Sequence, residues 1–243
     1  MTDLDTVANW FEQPGKVAVI SGAGLSTESG IPDFRSSKGL YNQNTSLKVP
    51  LEEVLSSHFF ESEPALFYSF FRNALRHPTA EPNEGHYFLK RLEDRGAQVT
   101  IVTQNIDGLH QKAGSANVIE LHGNVNRVIT ASGGSFTYGE AIETDDGLSV
   151  NGEWARPAVT LYGEALDSKA VFESIKAVEE ADILLVMGTS LNVYPAAGLV
   201  YDYNGGKSIL VNKGQTGIRY PFAVTFKESI CLWVKAVEKA MKK

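Results

Sequence analysis

Cysteine is almost missing from this chain: its 243 residues include one, Cys231. An intrachain disulfide is therefore excluded, as is any zinc site built from several cysteines. Basic charge is also scarce, with 22 Lys and Arg against 29 Asp and Glu, for a formal charge of −7. That balance argues against a general electrostatic attraction to nucleic acid. No window approaches a membrane span, and residues 1–10 hold no apolar core of signal-peptide length. Internal repeats and low-complexity segments are absent too. The expectation is a cytoplasmic monomer with neither nucleic acid nor membrane as partner.

The chain has enough length and apolar content, 43% hydrophobic, to bury a full core as one large domain carrying a sizeable insertion. Apolar, β-branched runs recur at 17–20, 99–103, 118–121, 158–161, 183–187, 208–211 and 223–225. Between them lie helix-like stretches at 86–95, at 168–180 with Ser168 as cap, and at 228–242. This alternation predicts an α/β fold, a parallel sheet covered by helices on both faces. Two stretches interrupt it. Residues 36–77 are helical and aromatic-rich, and 126–156 are polar and hairpin-like, with turn signals at Ser132-Gly133-Gly134 and Asn151-Gly152. Both are read as insertions forming a small domain, leaving 1–35, 78–125 and 157–243 as the large one.

The candidate chemistry sits at strand ends. After the first strand come Gly22-Ala23-Gly24 and then Pro32-Asp33-Phe34-Arg35. The glycines would let the backbone approach a dinucleotide pyrophosphate favoured by the following helix N-terminus. Position six of the usual glycine fingerprint is Thr27, so the specific part is the Pro-Asp-Phe-Arg tail. Gln104-Asn105-Ile106-Asp107-Gly108 follows the next strand, where open α/β sheets bind ligands; alone, such a turn is more often a satisfied loop than a site. His122 is a candidate base because imidazole titrates near neutrality. Gly188-Thr189-Ser190 reads equally as a helix cap or as a phosphate and ribose contact, and Asn212 could bond a ribose hydroxyl.

In order and wording these motifs resemble the sirtuins, NAD-dependent protein lysine deacylases. The resemblance runs through Gly39-Leu40-Tyr41, Leu121-His122-Gly123, Arg156-Pro157, Tyr162-Gly163-Glu164 and Gly188-Thr189-Ser190-Leu191, and so spans nearly the whole chain. It implies a large Rossmann-like domain, a small domain, and a cleft between them for NAD and an acyl-lysine peptide. Gly22, Ala23, Gly24, Thr27, Asp33, Arg35 and Tyr41 would line the diphosphate and ribose. Phe34 would shield the nicotinamide, Ile106 and Asp107 would hold its carboxamide, and Gln104 and Asn105 would order the reactive ribose. His122, with Asn105, would be catalytic, taking a proton from a ribose hydroxyl. Gly188, Thr189, Ser190 and Asn212 would bind the adenosine half, with Ile230 at the adenine end. Leu161, Tyr162, Gly163, Glu164 and Val193 would pair with the substrate backbone as a strand addition. The products would be lysine, nicotinamide and 2′-O-acyl-ADP-ribose.

Two departures from the family stand out. Where most sirtuins carry two Cys-x-x-Cys pairs for a structural zinc, this chain has Thr130, Gly133, Leu148 and Asn151, so no metal is expected. Turns at 132–134 and 151–152 and packing of Phe136, Tyr138 and Trp154 are the expected substitutes. Second, Tyr68 is followed three residues later by Phe71 where desuccinylating members place Arg. The two are read as an apolar acyl-pocket floor favouring acetyl or longer neutral acyl groups. Competing readings are a protein mono-ADP-ribosyltransferase or NAD hydrolase on the same fold, and a non-catalytic NAD-binding module.

Overall fold

The computed structural model describes residues 2–13, 15–34, 36, 39, 40 and 49–241; the expectations at Arg35 and Tyr41 fall outside this set. Its larger sheet contains β1 (Lys16–Ser21), β2 (Gln98–Thr103), β3 (Val118–Glu120), β9 (Ile183–Met187), β10 (Ser208–Val211) and β11 (Val224–Phe226). All six are parallel, in the order β11-β10-β9-β1-β2-β3. The central strands are buried on both faces, so they read as unbroken apolar runs.

Side chains alternate across this sheet, as the period of two requires. Val17, Val19, Ile101 and Leu185 face a core shared with α1 (Asp3–Phe11), α6 (Glu84–Asp94) and α9 (Ile230–Met241). Ala18, Ile20, Val102 and Val186 face the opposite core, against α8 (Ser168–Glu179) and the segment 191–203. The cap of α8 is Asp167, not Ser168: its carboxylate accepts the Lys169 and Ala170 amides at 2.7 and 3.3 Å. An ionised acceptor satisfies two orphan N–H groups at once.

A second, antiparallel sheet runs in the order β5-β4-β8-β7-β6, from β4 (Gly123–Thr130), β5 (Ser135–Thr137), β6 (Ile142–Glu143), β7 (Leu148–Val150) and β8 (Glu153–Val159). The run at 158–161, expected in the parallel sheet, instead ends β8 and pairs with β4. Alternating burial along β8, with Ala155, Pro157 and Val159 inward, is the mark of a strand with one buried face. The sheet therefore spans 123–159, wider than the expected insertion at 126–156.

The small lobe packs this sheet on α3 (Leu51–Val54), α4 (Ser57–Ser62) and α5 (Pro64–Phe70), the last continuing into a π-helical turn over Phe71–Leu75. Phe71 is fully buried and stacks on Phe67 (6.1 Å) and Tyr138 (6.0 Å). Tyr68 is fully buried as well, its hydroxyl reaching the Ala155 carbonyl at 3.4 Å. The expected turns are present. Gly133 has φ +87°, and Asn151 and Gly152 have φ +53° and +80°, the left-handed pair of a tight hairpin. Glu153 ties the two regions together by accepting from the Ser132 amide and, at 2.9 Å, its hydroxyl. Arg72 adds a clasp, donating to the Thr144 and Asp145 carbonyls at 3.0 and 3.4 Å. Of the expected aromatics, Tyr138 is central and Phe136 partly buried, whereas Trp154 is half exposed beside Phe60.

Truncating a fully buried Phe typically costs about 3–5 kcal/mol. Phe71→Ala is expected to lose that much in denaturant unfolding, while Ile142→Ala, exposed on β6, changes stability by less than about 0.5 kcal/mol. A Phe71→Ala protein of unchanged stability contradicts the packing described.

Candidate active site

The strands β1, β2, β9 and β10 all end at one cleft of about 920 Å³, at the upper end for small-molecule sites. Its base is set by two loops in close backbone contact. The Gly22 amide donates to the Met187 carbonyl (3.1 Å) and the Gly24 amide to the Gly188 carbonyl (2.8 Å). A Cβ on Gly24 would lie 2.7 Å from that carbonyl oxygen, and one on Gly22 would lie 2.7 Å from Thr189 Cβ. Loop packing therefore requires glycine at both positions, a reason separate from the expected approach to phosphate. Ala23, Gly24 and Thr27 line the cleft; Gly22 lies behind them. The helix after β1 is also a single turn, α2 (Ala23–Ser26), followed by a 3-10 turn over Thr27–Ser29.

A polar hub occupies the middle. Asn105 Nδ2 donates to the Gly22 carbonyl (3.2 Å) and to Ser26 Oγ (3.1 Å), and Ser26 Oγ donates in turn to Asp107 Oδ2 (2.6 Å). The other Asp107 oxygen accepts the Leu109 amide at 2.9 Å. Burial pushes the Asp107 carboxyl above the usual carboxylate range, and these two hydrogen bonds oppose the rise. His122 lies in the turn between β3 and β4, with Nδ1 2.9 Å from the Gln104 carbonyl. A carbonyl can only accept, so Nδ1 carries the proton and neutral His122 presents Nε2 as an acceptor. Gln104 Nε2 donates to Thr189 Oγ1 (3.1 Å), which also accepts the Leu191 amide (3.1 Å). The Thr189 O–H stays available as a donor to the cleft. Asn212 keeps its carboxamide oxygen, its Nδ2 being used on the Gly214 carbonyl at 3.1 Å.

Thus Ala23, Gly24, Thr27, Asp33, Phe34, Gln104, Asn105, Ile106, Asp107 and His122 share one cleft with Gly188, Thr189, Ser190, Asn212 and Ile230. Leu161, Tyr162, Gly163, Glu164 and Val193 line it as well. Two expectations change in detail. Tyr162 already spends its backbone on the small lobe, donating to the Leu55 carbonyl (2.9 Å) and accepting from Ser57 (3.0 Å). The Glu164 carboxylate accepts from Arg156 and from the Leu161 amide (2.8 Å), so it braces the loop. Tyr68 and Phe71 are not brought to the cleft: their rings complete the small-lobe core, and Leu55, Ala74, Leu75, Val159 and Leu161 supply the apolar wall instead. Sequence reasoning missed Ser26, the link between Asn105 and Asp107, and Glu28, whose carboxylate accepts from Ser229 and, at 3.1 Å, from the Cys231 amide. Ser26 lay inside the glycine segment, but only contact with Asp107 distinguishes it from an ordinary helix serine. Among the described residues no cluster of three His, Cys, Asp or Glu side chains is arranged to hold a metal.

A parallel α/β sheet whose strand ends form a long cleft against an inserted antiparallel lobe defines a two-domain nucleotide-site architecture. The chain belongs to the Sir2 family, whose family model matches residues 22–195. It is 41% identical over 239 residues to an NAD-dependent protein deacetylase of Cutibacterium acnes, covering 98% of each chain. A Clostridium acetobutylicum protein of the same name is 42% identical over 222 residues, covering 90% of this chain and 91% of that one. Among solved structures, a Sir2 complex with p53 peptide and NAD+ superimposes with TM-score 0.82 at 32% identity, over 98% of both chains. Sir2 bound to acetylated peptide gives 0.82 at 31% identity, over 99% of this chain and 100% of that one.

Burial lowers the His122 pKa below the ordinary 6.5, and the bond to the Gln104 carbonyl only partly offsets it. As pH falls through 6.5 the unfolded chain binds a proton that the folded ring refuses, so this group destabilises the fold increasingly in acid. NMR titration of the His122 ring is expected to give a midpoint below 6.5; a midpoint at or above 6.5 contradicts the desolvated setting.

Proposed function

We propose that this chain is an NAD-dependent protein lysine deacylase acting on acetyl or longer neutral acyl groups and releasing lysine, nicotinamide and 2′-O-acyl-ADP-ribose. The observation that carries the reading is His122 with Nδ1 tied to the Gln104 carbonyl and Nε2 unprotonated, in a cleft continuous with both the Ala23, Gly24 and Thr27 wall and the 161–164 loop. The residues present suit a dinucleotide. A glycine-packed turn, the Thr189 hydroxyl and the Asn212 carboxamide oxygen serve the adenosine half, while Asp107 and Asn105 serve the nicotinamide and its ribose. When bound, NAD supplies the glycosidic bond whose cleavage makes the sugar electrophilic toward the acyl group.

This chain's own contributions follow from the geometry. Asn105 and Asp107, locked through Ser26, orient the ribose and carboxamide. Phe34 and Ile106 exclude water as partly buried apolar groups beside the small-lobe core. His122 Nε2 takes the proton of a sugar hydroxyl, help typically worth about 10²- to 10⁴-fold. In the 161–164 loop, braced by Arg156 and Glu164, Gly163 is the residue whose backbone is offered to the peptide, since the bonds above engage Leu161 and Tyr162. Among the described lining residues Lys213 is the one Lys or Arg, beside Glu28 and the loop after β10. Arg72 is engaged with the Thr144 and Asp145 carbonyls, so among the described residues an acidic acyl chain finds no guanidinium at the apolar wall. The proposal includes a large domain and a small, zinc-free domain whose inserted sheet is widened to 123–159, supported by their separate apolar cores. A cytoplasmic, monomeric protein without nucleic-acid partners completes the reading, in keeping with its acidity and single cysteine.

Nicotinamide release is the direct test. It is expected to require both NAD and acetyl- or myristoyl-lysine peptide, to be slow with succinyl-lysine, and to fall about 10²- to 10⁴-fold in His122→Ala with NAD still bound. Metal analysis of the same preparation is expected to find no stoichiometric zinc. Nicotinamide release without any acyl-peptide, or unchanged turnover in His122→Ala, contradicts the assignment.

A further inference from the structure

Two histidines that the proposed chemistry does not use lie beneath the site. His86 on α6 and His110 in the short helix α7 (Leu109–Lys112) are buried, at 0% and 1% exposure, with ring centroids 5.0 Å apart, edge to face. Neither lines the cleft. Among the described residues each keeps one buried nitrogen without a partner, Nε2 of His86 and Nδ1 of His110. A buried polar atom left unpaired is costly, so the bonds made by the other ring nitrogens hold these rings in place.

The remaining nitrogens constrain the protons. His86 Nδ1 accepts the Asn83 amide at 3.2 Å, so a neutral His86 must carry its proton on Nε2. His110 Nε2 lies 2.9 Å from Ser21 Oγ, which donates to Thr103 Oγ1 at 2.9 Å. With the Ser21 proton spent, His110 Nε2 carries the hydrogen and Nδ1 is a bare acceptor. The two rings touch edge to face without a hydrogen bond between them. The opposite His110 tautomer would turn a bare nitrogen toward the spent Ser21 hydroxyl and leave a second buried N–H without an acceptor. Desolvation keeps both rings neutral.

We propose that His110, with the His86 ring packed edge to face behind it, heads a one-directional hydrogen-bond relay, His110 to Ser21 to Thr103, that positions Asn105. Thr103 Oγ1 accepts the Asn105 amide at 3.0 Å, which fixes the residue whose side chain spans Gly22 and Ser26. Beside it, Asn83, whose amide bonds His86, donates its carboxamide to the Leu25 carbonyl and to Ser29 Oγ, both at 2.8 Å. The 22–29 loop and Asn105 are thus both gripped from behind. These are positioning residues, acting on the ligand only through Asn105 and that loop. Their kinetic role rests on the deacylase reading; their proton arrangement does not.

Long-range ¹H–¹⁵N imidazole NMR of the unmodified protein tests the arrangement without turnover: both rings are expected as Nε2–H tautomers, and a protonated Nδ1 on His110 overturns the relay. Kinetics test its purpose. His110→Leu, folded by circular dichroism, is expected to lower kcat about 2- to 30-fold, more than it changes KM for the acyl-peptide. His110→Gln, which keeps an N–H donor toward Ser21, is expected to recover most of that loss. A folded His110→Leu protein with unaltered kcat, or a folded His110→Gln protein as slow as His110→Leu, overturns the positioning role. Should His110→Leu not fold, the NMR tautomers and His110→Gln decide. Absence of acyl-dependent nicotinamide release in the unmodified protein strikes the deacylase reading instead and leaves the tautomer result standing.

Discussion

The contact on which the rest of the structure depends is the backbone-to-backbone seat of Gly24 on Gly188. Parallel pairing of β1 with β9 brings Ser21 level with Met187, and the two chains then leave the sheet side by side. They stay in contact because neither carries a Cβ at the crossing, where one on Gly24 would lie 2.7 to 2.9 Å from Gly188 backbone atoms. Gly188, at φ +60°, also donates its amide to the Val211 carbonyl at 3.0 Å, which draws in the end of β10. The Gln104 amide donates to the Ser21 carbonyl, also at 3.0 Å, which draws in the end of β2. Four strand ends are thereby held to one floor, and the candidate ligand groups are whatever side chains stand on it.

Above that floor, placement costs desolvation. Asp107, Asn105 and His122 all lie largely out of water, where unpaired polar groups are penalised by roughly 1–3 kcal/mol each. The structure offsets this by giving each a fixed partner: Ser26 and the Leu109 amide for Asp107, Gly22 and Ser26 for Asn105, and the Gln104 carbonyl for His122. The atoms left over, His122 Nε2 above all, are those a ligand can use. Rigidity and reactivity come from the same bonds, since a side chain whose other valences are saturated can point only one way.

Much of this was legible from residue order. Strand ends carry the polar motifs because doubly wound sheets expose their carboxyl ends, and the alternation of apolar runs revealed that sheet before any contact was known. What was not legible depends on tertiary partners. Phe71 has the spacing of an acyl-pocket residue, yet stacking with Phe67 and Tyr138 takes it into the core. The run at 158–161 has the composition of a parallel strand, and only the pairing of Ala158 and Val159 with Asn124 and Gly123 sends its start to the other sheet. Glu164 reads as part of a loop that pairs with a peptide backbone, and only the folded contact shows that Arg156 takes up its carboxylate. Gly22 and Gly24 were read for an approach to phosphate, and the seating of one loop on another adds a need for glycine that only tertiary packing discloses.

The most direct test of that central contact is calorimetric titration of ADP-ribose into Gly24→Ala, with Gly139→Ala as control because a Cβ there meets nothing within 4 Å. The seat of Gly24 on Gly188 predicts that Gly24→Ala loses at least about tenfold in affinity, about 1.4 kcal/mol, while Gly139→Ala binds as the unmodified protein does. Undiminished binding by Gly24→Ala would contradict the account.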